Sequence, residues 1–374
     1  MSRIVRTRGG PLTTQAPQQQ PDPARSPTER TAAHLEFQAL ACAALGSQLY
    51  ADLLTRAVDD LKAGGPVAAV LDGHLEDPGK GALALRMLGG VHALVLTGQA
   101  QELAGFYPSA GGAEDPGPGA SRAWPAFRRV LEEHADQVRA WLGHPPQTNE
   151  VGRGAALVGA LCHLAAEADL PIRLVEIGTS AGLNLRADQF RITGDGVAYG
   201  PADSPVQLSN AWLGQPPPAA TLRVVSRVGG DLAPIDPVRP DGRLRLSAFV
   251  WADQAERFIR LRGACDLAAQ VPAEVRQESA AETLARTSLE EGTWTVLWHS
   301  IMWQYLSIAQ QVELNEAIAT LGASATPRAR FAHVCLELVS GTADTPIELV
   351  TWPGGIRRRL GAAPPHGVPV TWAG

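Results

Sequence analysis

A doubly wound α/β fold with a mainly parallel sheet, preceded by a helical domain, is predicted by three observations. The stretch Ile172 to Leu185 reads as a buried strand, a glycine turn and a helix start, the junction at which α/β sheets bind ligands. From about residue 148 onward apolar strand candidates alternate with helical spacing, which implies parallel strands joined by crossovers. Between residues 31 and 146 the periodicity is helical, with no clear strand.

In chain order, residues 1–30 are rich in Gln, Pro, Thr and Arg and lack core-forming residues, so a disordered tail is expected. Residues 31–146 form the helical domain. Its apolar spacing runs to about Ala63, is broken by Gly64-Gly65-Pro66, and resumes over about Gly81 to Leu103 and Pro125 to Leu142. The polar, glycine-rich segment from Phe106 to Arg122 reads as a lid or a long connection. Residues 147–374 form the ligand-binding domain. It opens on a helix for which Thr148 or Asn149 supplies the cap and Glu150 a first-turn acid. Strands follow at Ile172–Ile177, Thr221–Val225, Glu274–Gln277, Trp294–Trp298, Phe331–Val339, Ile347–Trp352 and Val368–Trp372, and the stretch from 195 to 218 reads as irregular. A short turn between two C-terminal strands predicts an antiparallel edge.

Two chemistries fit the central junction. Glu176, Gly178 and Gly182 spell E-x-G-x-x-x-G, an acid and two glycines that let the backbone pass close under a ligand. Gly178-Thr179-Ser180-Ala181-Gly182 also spells G-x-S-x-G, the elbow that presents a nucleophilic serine, and Asp344 and His366 follow in the order such a triad needs. A turn that merely packs a helix on a sheet is the alternative to both.

The first spelling resembles the leading motif of Rossmann-like, S-adenosylmethionine-dependent methyltransferases. That resemblance implies that Glu176, Gly178, Thr179, Ser180, Gly182 and Asn184 face the cofactor. It also implies that an acid at the next strand's end takes the ribose hydroxyls, Asp231 with Asp236 as its rival, and that Glu278 lies toward the adenine. His299, following an apolar strand, is the candidate general base; a hydrogen-bonded structural histidine is the alternative. Asn149, Glu150 and Arg153 are candidates to line the substrate cleft, Glu150 for a cation and Arg153 for a carboxylate, with capping and surface pairing as alternatives. Tyr305 is a further candidate there, with packing the alternative.

Seven segments carry a wider resemblance: FYPS at 106–109, QTNEVGR at 147–153, EIGTSAGLNL at 176–185, RVGGDLAPID at 227–236, WADQAERFIRL at 251–261, WHSIMWQYL at 298–306 and HGVPVTW at 366–372. Together they make the chain similar to the bacterial domain-of-unknown-function family 2332. The resemblance implies the methyltransferase-type fold and leaves the reaction open. A nucleotide-binding protein without catalysis is a third class that the fold admits.

Composition narrows the partners. A net charge of -6 offers no general attraction to nucleic acid, and Arg357-Arg358-Arg359 reads as a solvated turn or edge. The basic start MSRIVRTRGG has no apolar stretch behind it and no run approaches a membrane span, which predicts a cytoplasmic protein; the methyltransferase resemblance implies a small-molecule substrate. Cys42, Cys162, Cys265 and Cys335 lie far apart with no C-x-x-C pair, so free thiols are expected and neither a zinc site nor a disulfide framework.

Overall fold

A computed structural model describes residues 25–77, 82–339 and 345–373. The expected tail lies outside the described residues up to position 24. At its other end it stops earlier than expected, because Ser26 and Glu29 form a capping box and Pro27 starts the first helix.

The N-terminal unit is built from α1 (Pro27–Ala44), α2 (Gln48–Lys62), α3 (Pro66–Leu71), α4 (Leu83–Leu96), α5 (Gln101–Ala104), α6 (Ala123–Glu133) and α7 (Ala135–Leu142). Its core gathers buried residues from Ala32 to Leu142 and closes over Trp251 and Ala252 from the second unit. The segment after α5 is packed, contrary to its polar appearance: Phe106, Tyr107 and Ala120 are buried. Ser109 N donates to Ala252 O at 2.9 Å, and Asp253 accepts from Ser47 Oγ at 2.6 Å and from Leu49 N at 3.1 Å. The FYPS and WADQ segments therefore dock the helical unit onto the sheet.

The second unit continues with α8 (Gly154–Glu167), β1 (Ile172–Ile177), β2 (Arg191–Gly194), β3 (Val197–Tyr199), β4 (Gln207–Leu208), β5 (Trp212–Gly214) and β6 (Val224–Asp231). It goes on through α9 (Pro240–Ala248), α10 (Ala255–Ala268), β7 (Glu274–Gln277), α11 (Ala280–Arg286), β8 (Thr293–Ser300) and α12 (Ile308–Ala323), and ends with β9 (Ala329–Leu336), β10 (Thr345–Trp352), β11 (Ile356–Ala363) and β12 (Val370–Trp372). The protein is thus a mixed α/β structure around a large, mostly parallel sheet.

That sheet runs β5-β12-β11-β10-β9-β8-β1-β6-β7. β7, β6, β1, β8 and β9 pair in parallel, whereas β9, β10, β11 and β12 pair antiparallel. From β1 the chain moves to β6 and β7 on one side, then returns to β8 and β9 on the other. The order reverses between β1 and β8, the place at which open α/β sheets put their ligands.

Three departures from the sequence reading have physical causes. The 195–218 stretch holds β3, β4 and β5: β3 and β4 pair with β2 in a small sheet, and β5 extends the main sheet beside β12. β6 begins three residues later than expected and runs through Gly229-Gly230, where packing admits only glycine: a Cβ would sit 2.6 Å from Thr179 Cγ2 or 1.9 Å from Thr283 Oγ1. The three arginines at 357–359 lie within β11.

One sheet face packs against α8, α10 and the 3-10 helix Leu183–Gln189, and the other against α11 and α12. β1 serves both by alternation, with Ile172 and Leu174 on the first face and Val175 and Ile177 on the second. No helix among the described residues is long and apolar enough to cross a membrane.

Candidate functional site

The C-terminal ends of β1, β6 and β7 bring three acids to one edge: Glu176 near the end of β1, Asp231 as the last residue of β6, and Glu278 just after β7. Glu176 is buried and accepts a 2.6 Å hydrogen bond from Thr179 Oγ1. Burial raises its carboxyl to about 8, against the stabilising hydroxyl, so it carries its proton at neutral pH. Glu278 N donates to Asp231 O at 3.0 Å, and the Glu278 carboxylate pairs with Arg286 at 3.2 Å.

The loop after β1 turns at Gly178 and Gly182, both at φ 67°, and at Ser180, at φ 55°. A 3-10 helix follows it where an α-helix was expected, and the loop's own N–H groups are already engaged. Gly178 and Thr179 donate to Gly230 O, and Ser180 donates to Asp231 Oδ2 at 2.8 Å. Ala181 and Leu183 donate to Asn149 Oδ1 at 3.2 and 2.9 Å. Asn149 thus caps the loop after β1, not the helix that follows it in sequence. Space beside the two glycines is also taken: a Cβ would lie 3.1 Å from Met302 Cβ at Gly178 and 2.7 Å from Val275 Cγ2 at Gly182.

Some acceptors and hydroxyls at this edge are left over. Ser180 Oγ, Asn184 Oδ1 and Glu278 Oε1 are buried and have no hydrogen-bond partner among the described residues, a state that costs free energy unless something fills it. Asn184 Nδ2 donates to Glu150 O at 3.1 Å, which ties the loop to the 147–153 segment. Asp231 is bound more fully: Oδ1 also accepts from Ala233 N at 2.9 Å and Gln147 Nε2 at 3.3 Å. Its rival Asp236 caps its own turn through Val238 N at 2.9 Å.

The substrate-side candidates fall into a buried charge cluster. Glu150 Oε2 accepts from Arg257 Nε at 2.7 Å and Nη2 at 2.6 Å. Burial works to raise this carboxyl, but Arg257, His366 and Arg153 together hold it below the usual range. Glu150 is therefore committed to Arg257 and does not present a free charge to a cation. Arg257 is not among the candidates read from the sequence, since its partner lies 107 positions away. Arg153 donates to Pro365 O at 3.0 Å and feels the charges of both Glu150 and Glu337. Tyr305 is 68% exposed, which excludes the packing role.

His299 belongs to the other face. Glu176 stands opposite Trp298 across the β1–β8 pairing, so the next residue points away from the glycine loop. Its ring is 2% exposed, with Nδ1 2.7 Å from Glu337 Oε1 and Nε2 2.9 Å from His333 Nε2. Both nitrogens are engaged, so His299 does not offer a base to the edge beside Glu176. Burial, with the His299 and Arg357 charges, drives His333 well below the ordinary histidine value.

Among the described residues no side chain hydrogen-bonds Ser180 Oγ at the serine elbow. His366 packs edge-on against Trp251 at 5.6 Å and is lowered to about 4 by burial and the Arg257 charge. Asp344 lies outside the described residues.

A family model described as an uncharacterized protein conserved in bacteria (DUF2332) matches residues 32–372. The chain belongs to this family. In this DUF2332 member all seven segments singled out in the sequence fall at the docking contacts, the glycine loop, the buried charge cluster or the strand ends around them. No curated protein and no solved structure matches the chain.

Proposed function

We propose that the chain is an S-adenosylmethionine-dependent methyltransferase acting on a small-molecule acceptor, with the donor's nucleoside seated over the C-terminal ends of β1, β6 and β7. One observation carries this reading: three neighbouring parallel strands, beside the point where the strand order reverses, each have an acid at or within one residue of their C-terminal end, Glu176, Asp231 and Glu278. Strand ends at such a point are where open α/β sheets place nucleotides.

The residues fit the nucleoside better than they fit the amino-acid tail. Glu278 Oε1, Asn184 Oδ1 and Ser180 Oγ have unused hydrogen-bonding capacity for ribose hydroxyls and an adenine amine. Asp231 stiffens the loop and keeps acceptor lone pairs at its rim. Glu176 is neutral until a cation arrives; a bound ammonium group would favour its ionised form, so binding releases a proton near pH 7. The loop N–H groups are spent on Asn149, Asp231 and Gly230, which leaves Arg153 as the partner for a carboxylate.

When bound, the donor supplies an electrophilic methyl group on a sulfonium. The chain's own task is to hold acceptor and methyl in line and to keep water out. With His299 turned to the other face, positioning carries the reaction, and the reading favours an acceptor whose nucleophile needs no histidine base.

Calorimetric titration of the full chain tests the proposal. S-adenosylmethionine and S-adenosylhomocysteine should both bind, and Glu176→Gln and Asp231→Asn should each weaken binding by at least about tenfold. Absence of binding by the folded protein, or unchanged affinity in both variants, would overturn it.

A further inference from the structure

We propose that His299, His333 and Cys335 form a three-ligand site for zinc on the sheet face away from the glycine loop. The site stands apart from the methyltransferase reading and is tested without it.

The strands create the grouping. β8 and β9 run parallel with His299 beside Cys335 and Leu297 beside His333, and side chains two apart share a face. One nitrogen of each imidazole and the Cys335 sulfur all lie within 4.8 Å of one another. The two Nε2 atoms face each other at 2.9 Å. A tetrahedral zinc with bonds of about 2.0–2.3 Å holds its ligand atoms roughly 3.3–3.7 Å apart, so the nitrogens part by a few tenths of an ångström and the sulfur closes in.

The surroundings are those of a ligand set. Glu337 Oε1 accepts from His299 Nδ1 at 2.7 Å, which fixes the tautomer and aims the Nε2 lone pair at His333. A carboxylate behind a ligating histidine is the usual second partner of metal sites. Glu337 is itself held by Met302 N at 3.1 Å and Trp303 N at 3.3 Å, and Trp303 stacks on His299 at 5.1 Å. Each ligand is thus mounted on a strand and His299 is locked in place.

Charge balances as well. A dication with one thiolate and the adjacent Glu337 carboxylate is neutral overall. The nearby Arg357, which would oppose a cation, is paired with Glu348 at 2.9 Å. Two imidazoles and a thiolate suit a borderline-soft ion better than magnesium or calcium. Three protein ligands leave a fourth position for water or a substrate atom.

The test uses the full chain stripped with a chelator and titrated with Zn²⁺ by calorimetry and with Co²⁺ by absorption. The proposal expects one equivalent bound and a thiolate-to-cobalt charge-transfer band that Cys335→Ser abolishes. His333→Ala should lower zinc affinity at least about 100-fold, and Glu337→Gln, which touches no metal, about 10–100-fold. Circular dichroism checks that each variant is folded; if His333→Ala is not, Cys335→Ser and Glu337→Gln decide alone. Failure of the folded wild type to take up either ion, or affinity and spectrum unmoved in the folded variants, would overturn it.

Discussion

Arg257 grips one oxygen of Glu150 with two nitrogens, at 2.6 and 2.7 Å, and both side chains are nearly excluded from solvent. This pair fastens α10 to the segment just before α8, and Asn184 reaches the same segment through the Glu150 carbonyl. Through Glu150, α10 and the glycine loop are thus tied to one segment.

Breaking this joint on one side should be costly. Removing either partner leaves a buried charge alone, so Glu150→Ala or Arg257→Ala should lower unfolding free energy by about 3–5 kcal/mol in urea titrations. The double variant should lose clearly less than the sum of the two, because the second change removes the stranded charge.

The segment that this joint holds was hard to place from sequence, and the reason is separation along the chain. Strand β7 is legible over its full length, because its pattern is local. Gly229-Gly230 lies inside β6, beyond the strand read from the sequence, and only the packing of Thr179 and Thr283 reveals why no Cβ fits. Asn149 looks like a helix cap until the fold carries the β1 loop to it. The alternation His333, Cys335, Glu337 is visible in the sequence, but His299, which gives it meaning, comes from another strand.

Asn149 offers a second prediction. Asn149→Ala leaves the N–H groups of Ala181 and Leu183 without their acceptor, which should cost about 1–3 kcal/mol in stability. Asn149→Asp keeps an acceptor and should restore most of it. Hydrogen exchange at Ala181 and Leu183 reads the effect directly, with protection lost in the alanine variant and retained in the aspartate one.

Glycine packing gives a third. At Gly230 an added Cβ meets Thr283 Oγ1 at 1.9 Å, whereas at Gly178 it meets the flexible Met302 side chain at 3.1 Å but in a left-handed backbone. Gly178→Ala should cost about 1–2 kcal/mol from conformation, and Gly230→Ala about 1–3 kcal/mol from overpacking. Thr283→Ala should rescue part of the second loss and none of the first, as thermal melts of the two glycine variants, each with and without Thr283→Ala, against Thr283→Ala alone and the wild type would show.

Glu176 makes stability depend on pH. Its folded value, near 8, lies above the unfolded value near 4.5, so the folded state holds more protons between these limits. Stability from this group is therefore fully present below about pH 4.5 and is lost as pH rises toward about 8, on the order of 1 kcal/mol per pH unit. His366, lowered to about 4 by burial, acts in the opposite sense between about 4 and 6.5. Subtracting the Glu176→Gln curve from the wild-type curve removes that background, and the difference should fall across the window and level off above it.

A crystal structure grown with S-adenosylhomocysteine decides whether a sulfonium nucleoside sits over the ends of β1, β6 and β7. Ligand density is expected across this edge, with the ribose near Asp231 and polar contacts to at least one of Ser180 Oγ, Asn184 Oδ1 and Glu278 Oε1. Density confined to another surface, or a saturated crystal in which those three atoms remain as they are, would contradict it.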